Sequence, residues 1–380
     1  MAGFSSLDDL VNEMTVNSKF VRSDWNKLTH AVGTQAAGLW YALPHATGNP
    51  SAMTLGAVGT NLAFHIAYDR TQGAIPHGGY VSPDTKHILN ASAFSAAATT
   101  MPAIFMLVDM LGWYPITTTT TTGNQALINS RTFTATAATP TVLTLAAGWD
   151  MQTGTPIRLT TTTTLPAGLS LATTYYWNRT GATTGNLATS YANLASATYV
   201  AASDTGTGTH TATLYLGDRA PSHGSGVQAY LTPSVALGAG TPNIQITYTD
   251  QDGNTGQTTP TTLPISNATA PIGQIEYSGT AAGKFGPFIP LAAGDGGMRL
   301  AEQFSYSSTH TSGTTNLVLC RPLLTLPMTT IGVAAERDLL NQLPSLPRVY
   351  DGACLTWLMY AGAATPVTSG FFGHLDFAWG

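Results

Sequence analysis

The residues best equipped for chemistry in this 380-residue sequence are its nine histidines and its sparse carboxylates. His65, His77 and His87, with Asp69 and Asp84, form the densest group. Structural zinc sites use ligand pairs separated by only about two to five residues. These histidines stand ten or more positions apart on predicted strands and turns, so ordinary hydrogen-bonded roles are expected and no metal is assigned. Asp250-Gln-Asp-Gly-Asn254 resembles part of a calcium loop, but Gly253 directly follows Asp252, which breaks the required spacing. A hairpin turn is the expected structure there. Asp8-Asp9 sits where a helix begins and complements the exposed amide dipoles, so no glycosidase acid and base are invoked. Gly294-Asp-Gly-Gly297 lacks the lysine and following helix of a phosphate loop. A serine elbow, a Walker loop, an H-E-x-x-H pair and a dinucleotide fingerprint are all missing from plausible contexts. A non-enzymatic protein with no catalytic residue and no cofactor is therefore expected.

Two further sets of residues are ambiguous on sequence alone. Phe371, Phe372, Phe377 and Trp379 fit a ligand platform or a closing strand, and the alternation of Leu375, Phe377 and Trp379 with Asp376 and Ala378 favours the strand. Cys320 and Cys354 lie in apolar stretches, where two buried free thiols are favoured over a pair.

The elements that would position these groups are mostly strands. Ser5 and Asp8 read as a capping box, after which Leu7, Leu10, Val11 and Met14 share a helical face. Phe20 and Trp25, beside Lys19, Arg22 and Lys27, extend this into a helical arm over residues 1–30. The six apolar residues Leu7, Leu10, Val11, Met14, Phe20 and Trp25 are its possible assembly contacts. Beyond Gly38, short apolar and β-branched runs separated by Gly, Pro, Asn and Asp have strand length, as in Leu62–Tyr68, Ala103–Val108, Leu317–Cys320 and Leu355–Tyr360. Ile244, Ile246 and Tyr248 alternate with Gln245, Thr247 and Thr249, the mark of a half-buried strand. The pattern predicts a mainly β protein with an antiparallel, sandwich-type host domain over 31–131 and 218–380. Ala334–Leu343, stopped by Pro344, reads as a further helix. Between Thr117 and about Leu216 threonine is dense, and residues 132–217 read as an inserted unit.

Composition limits the partners. Charged residues are only 9% of the chain, against about 25% in ordinary soluble domains. Lysine occurs only at positions 19, 27, 86 and 284, and arginine supplies the rest of the fourteen positive charges. So few charges leave little repulsion between copies and favour self-association. The net charge of −5, with no basic run, argues against nucleic-acid binding. The amino terminus lacks the basic start and apolar core of a signal peptide, so export by that route is not expected. Ala91–Trp113 is too rich in Ala, Ser and Thr, and is interrupted by Pro102 and Asp109, for a membrane span. No membrane partner is expected.

Within the insert, Leu165-Pro-Ala-Gly-Leu169, Thr173-Thr-Tyr-Tyr176, Leu187-Ala-Thr-Ser190 and Gly206-Thr-Gly-Thr-His-Thr211 occur in this order. Together they resemble a small β-sandwich-like module of phage virion proteins. In the host portion, Gly78-Gly-Tyr-Val-Ser-Pro-Asp-Thr-Lys-His87, Leu107-Val-Asp-Met110, Gly286-Pro-Phe288, Ala334–Pro347 and Asp376-Phe-Ala-Trp-Gly380 resemble uncharacterised structural proteins of tailed bacteriophages. The resemblance implies a virion component. A major capsid shell subunit would carry a long spine helix, and no sustained helical pattern of that length is present. The expectation is a head decoration protein, a trimer by family analogy, whose partners are copies of itself and the capsid shell protein. Shell subunit and receptor- or carbohydrate-binding tail-fibre protein are the alternatives. The carbohydrate-binding alternative requires exposed aromatic residues near a shallow cleft with Asp or Asn partners.

Overall fold

The computed structural model describes residues 3–28, 35–53, 73–95, 102–117, 123–147, 149, 151–216, 219, 224–260, 263–265, 269–277, 286–342, 346–366 and 369–380. Its architecture is mainly β, with antiparallel sheets and only short helices. The organising feature is a pair of fifteen-residue strands, β5 (Ala103–Thr117) and β18 (Thr314–Met328), bonded along their length. At about 3.4 Å per residue they span about 50 Å, long enough to serve two separate packing layers. Strand β13 (Gln228–Val235) flanks β18, while β21 (Leu355–Ala361) and then β2 (Leu39–Ala42) flank β5. Residues 273–276 hydrogen-bond to β2 on one side and β13 on the other, joining the two edges of this central sheet. The ring so formed is filled by Val108, Met110, Trp113, Tyr230, Ile275, Val318 and Leu358, together with both cysteines.

Cys320 and Cys354 are buried and free. Met110 on β5 lies between them, paired with Cys320 and bonded through its N–H to the Cys354 carbonyl. Two inter-strand spacings are about 9–10 Å, beyond the Cα separation of about 7 Å that a disulfide can bridge.

The opposite face of the central sheet carries the sandwich. Along one half it packs on a terminal sheet built from β1 (Phe20–Leu28), β22 (Gly370–Trp379), β4 (Lys86–Ala93) and β19 (Ala335–Asp338), with β3 (Gly48–Asn49) and β20 (Arg348–Val349) at its margins. The shared core includes Trp25, Phe105, Leu107, Trp357, Phe371, Leu375 and Phe377. Helix α1 (Leu7–Thr15) lies across the outer face of this sheet. Its cap is one residue later than the sequence suggests: Ser6 Oγ accepts the Asp9 N–H, and the Asp9 carboxylate reaches back to the Ser5 N–H at 2.8 Å.

Two helical expectations are corrected here. Among its described residues the proposed arm over 1–30 is helical only at Leu7–Thr15, because Phe20–Leu28 is extended and pairs throughout with β22, from Phe20 opposite Ala378 to Leu28 opposite Gly370. Its burial has period two: Ser23, Trp25 and Lys27 point inward while Arg22, Asp24 and Asn26 face out. In the same way Ala335–Asp338 is strand β19 against β4, and among the described residues only Leu339–Gln342 of that stretch is helical, as α3. Edge pairing satisfies the backbone of both segments more fully than an isolated short helix would.

Along its other half the central sheet packs on a third sheet, β15 (Gln257–Thr258), β14 (Asn243–Asp250), β17 (Met298–Tyr306) and β6 (Gly123–Ala126), with β16 (Leu263–Pro264) beside β14. Ile244, Ile246 and Tyr248 are fully buried, as their alternation requires. The turn after β14 is held by the Asp250 carboxylate, which accepts the Asp252 and Asn254 N–H groups at 2.8 and 2.9 Å.

Between β6 and β13 the chain forms a six-stranded antiparallel barrel. Its members are β7 (Ser130–Ala135), β8 (Leu143–Leu145), β9 (Pro156–Thr161), β10 (Tyr175–Arg179), β11 (Thr184–Ala188) and β12 (His210–Leu214), in the closed order β10-β11-β8-β7-β12-β9. The sheet of this unit closes on itself as a barrel, so each of the six strands is paired on both sides. Two of the quoted sequence segments meet here. Asp204 accepts the N–H groups of Ala167 and Gly206 at 2.8 and 2.9 Å, tying Leu165–Leu169 to the Gly206 turn. A side chain at Gly168 would collide with the Ala201 carbonyl at 2.2 Å, and its φ of +106° also favours glycine. The barrel core and the third sheet share one continuous cluster.

Candidate functional site

The six apolar residues assigned to assembly are distributed over three environments. Leu7 and Val11 line the outer ridge of α1 at 66% and 50% exposure, and Val16 just past its end is 71% exposed. Leu10, Met14 and Phe20 turn inward, where they pack with Phe4, Leu89 and Ala378. Trp25 is corrected as an assembly contact: it lies in the sandwich core, with its ring centroid 5.1 Å from Trp357 and 5.9 Å from Phe105. Its neighbours follow strand rather than helix geometry, which places it on the inner face. Lys19, in the link between α1 and β1, bridges Glu13 and Asp84 at 2.9 and 2.8 Å and fixes the helix to the turn before β4.

A second feature is a cavity of about 280 Å³ where the barrel meets the host sheets. Lys86, Arg219, Arg348 and Asp351 line it from the host side and Tyr176, Ser190 and Tyr191 from the barrel side. Helix α2 (Tyr191–Ala195) begins there, capped by Ser190. The Lys86 amine donates to the Gly79 carbonyl at 2.5 Å and to His77 Nδ1 at 2.9 Å. His77 Nε2 sits 3.0 Å from the Ala353 carbonyl, and since a carbonyl only accepts, the proton is on Nε2 and Nδ1 is the acceptor. Burial holds the imidazole neutral, with its pKa pulled down to about 3, and the Lys86 charge adds to this. Burial also lowers the Lys86 amine to about 8, partly opposed by the Asp351 carboxylate. Asp351 in turn accepts the Val81 and Ser82 N–H groups at 3.0 and 3.1 Å. Each of these charges holds backbone in place. The arrangement therefore orients the chain through residues 77–86, and Tyr80 of that stretch stacks on Tyr191 of the barrel unit with ring centroids 6.0 Å apart.

Behind the cavity Arg219 completes the junction. It follows the last barrel strand and pairs with Asp109 of β5, both fully buried, while also donating to the Met110 carbonyl at 2.8 Å. Asp109 accepts the Cys354 N–H at 2.9 Å as well. On the entry side, Asn129 accepts from the Tyr114 hydroxyl at 2.7 Å and donates to the Ala301 carbonyl at 2.7 Å. Gly352 lets Tyr191 approach, since a side chain there would stand 2.2 Å from the ring. No motif in the sequence marks Arg219, Asn129 or Asp351; the one signal is an aspartate, Asp109, inside an otherwise apolar run.

The described members of the histidine group are dispersed. His77 faces Lys86, His87 meets the Leu346 carbonyl at 3.3 Å, Asp84 binds Lys19, and His65 and Asp69 lie outside the described residues. Among the described residues no three His, Cys, Asp or Glu side chains converge as metal ligands, and no helix is long and apolar enough to cross a membrane.

No known protein family matches the sequence, and no curated protein matches it. Solved structures aligned with it include the mutant VP2 protein of infectious bursal disease virus in derived T=1 particles. That alignment is 9% identical, covers 97% of this chain and 82% of the other, and has a TM-score of 0.14. The VP2 subviral particle of the same virus gives 9% identity, coverage of 94% and 80%, and the same TM-score. Similarity at this level carries neither fold nor function to this chain.

Proposed function

We propose that the chain is a non-enzymatic structural component of a tailed-bacteriophage virion, a decoration protein that self-associates as a trimer and binds the outside of the head shell. The observation that carries this reading is the exposed apolar ridge of Leu7, Val11 and Val16 in a chain with few charges to repel a neighbour. Leu10 and Met14, on the other side of the same helix, anchor it to the terminal sheet, so the ridge is presented on a rigid base. The resemblance of residues 78–87, 334–347 and 376–380 to phage structural proteins supports the same reading. Sedimentation velocity of the purified protein tests it, followed by co-sedimentation with head shells assembled from the shell subunit alone. A trimer that pellets with shells is expected, and L7E/V11E should lose both properties at unchanged melting temperature. A wild-type protein that stays monomeric and remains in the supernatant would sink the proposal.

A further inference from the structure

The outer face of the terminal sheet holds a second site. Strand register arranges its outward side chains in rows. The first row, Phe20 and Ala378, is covered by α1. The next contains Arg22, Asp376 and Asn90, closed by the Arg22–Asp376 pair. The third runs Asp24, His374, Ser92 and Glu336, and the fourth Asn49, Asn26, Phe372 and Phe94. Those last two rows line an open groove of about 500 Å³.

The groove combines one aromatic plane with planar polar groups. Phe372 is 46% exposed, and its ring is steadied by Phe94, centroid to centroid at 4.5 Å, with both backbones cross-bonded. Ser92 fixes the His374 ring, lying 2.8 Å from Nδ1 and accepting the His374 N–H at 3.1 Å. Asn26 Oδ1 accepts the Asn49 N–H, Asn26 itself lines the groove, and Glu336 accepts from the Asn90 amide through one carboxylate oxygen. Among the described residues no lysine or arginine lines the groove, whereas Asp24 and Glu336 do. Phosphate, sulfate and acidic sugars are therefore disfavoured by charge. An apolar ring face flanked by carboxylate and amide groups matches a pyranose, whose C–H face stacks on an aromatic ring while its vicinal hydroxyls bond to Asp and Asn in pairs.

We infer that this groove binds a neutral saccharide, with Phe372 as the stacking platform and Asp24 and Asn26 as the hydroxyl-binding groups. The inference stands apart from the assembly reading, because it uses none of the α1 residues.

A microarray carrying neutral, sialylated and sulfated glycans, with an oligolysine peptide as control, tests it on the full-length protein. Hits are then titrated by saturation-transfer NMR with wild type, F372A and D24N. The expected result is selective retention of neutral glycans, with about tenfold or greater loss of affinity in each variant and an unchanged melting temperature. D24N keeps the shape of the groove, so it remains informative if F372A perturbs the sheet. Retention of no glycan, preference for oligolysine or for acidic glycans, or wild-type affinity in both variants would overturn the assignment.

Discussion

Two arginine–aspartate pairs in this protein have similar partners and opposite surroundings. At the barrel junction Arg219 and Asp109 are both sealed from water, with side chains 2% and 0% exposed. On the outer face of the terminal sheet Arg22 holds Asp376 through two bonds of 2.7 Å, but the arginine is 54% exposed. In the first setting neither charge has water to fall back on, so the pair dictates a single arrangement of β5, the 350s turn and the chain leaving the barrel. In the second, solvent replaces most of what is lost. The contrast shows where the molecule is committed and where its surface remains open for contact.

The largest effect is therefore expected from Asp109→Asn, which leaves the Arg219 charge buried without a counter-charge. A loss of about 3–5 kcal/mol is expected from chemical denaturation. The double variant D109L/R219M should recover most of it, because two apolar side chains incur no charge desolvation. A D109N loss no larger than that of a surface pair would break the comparison.

Acid comes next. The His77 pKa is about 3 in the folded protein against 6.5 when unfolded. Between these values the unfolded chain binds the extra proton, so this contribution is complete above pH 6.5 and is lost as pH falls toward 3. Glu276 has the opposite sign. Buried against Tyr306 and Thr315, its carboxyl is raised to about 7, so it stabilises below 4.5 and ceases to do so as pH climbs through 7. Urea midpoints measured from pH 3 to 8 should show His77→Gln with a flatter acid limb. Glu276→Gln should be flatter between 4.5 and 7, and unchanged slopes in both would refute these assignments.

Gly352→Ala follows, at about 1–3 kcal/mol, because the new methyl would meet the Tyr191 ring and push the barrel from its seat. Near-ultraviolet circular dichroism should report the displaced tyrosine, and an unaltered spectrum would show that the seat is adaptable. Arg22→Gln should be smallest, at about 1 kcal/mol in denaturation and reduced further by salt.

Much of the architecture is written in local periodicity. Alternation over 244–249 shows in β14, and Leu375 and Phe377 are buried on β22 while Phe372 faces out. Asp204 and Gly168 make their contacts within the barrel, with Ala167 and Ala201 respectively, more than thirty positions away along the chain. The aromatic set at 371–379 was legible as a strand, and it forms β22 with Phe372 left on the outer face.

Other features depended on partners far away in the chain. Phe20–Leu28 carries aromatic and basic residues that suit a helix equally well, and it became a strand because the last strand of the chain offers it a complete hydrogen-bonding edge. Lys27 illustrates the same point for a single charge. In sequence it reads as a solvated residue, yet its amine is buried among the carbonyls of Ala46, Pro50 and Ser51, with its pKa lowered to about 8 by burial. The sequence by itself determined the mainly β class and the sparse charge, since these follow from side-chain type and spacing over a few residues, whereas the runs at 103–108 and 317–320 are parts of two fifteen-residue strands whose length depends on their pairing. Only the tertiary structure decided which strands pair, which charges lose water and which aromatic ring is left facing out, because backbone pairing and desolvation are settled by contacts between residues hundreds of positions apart.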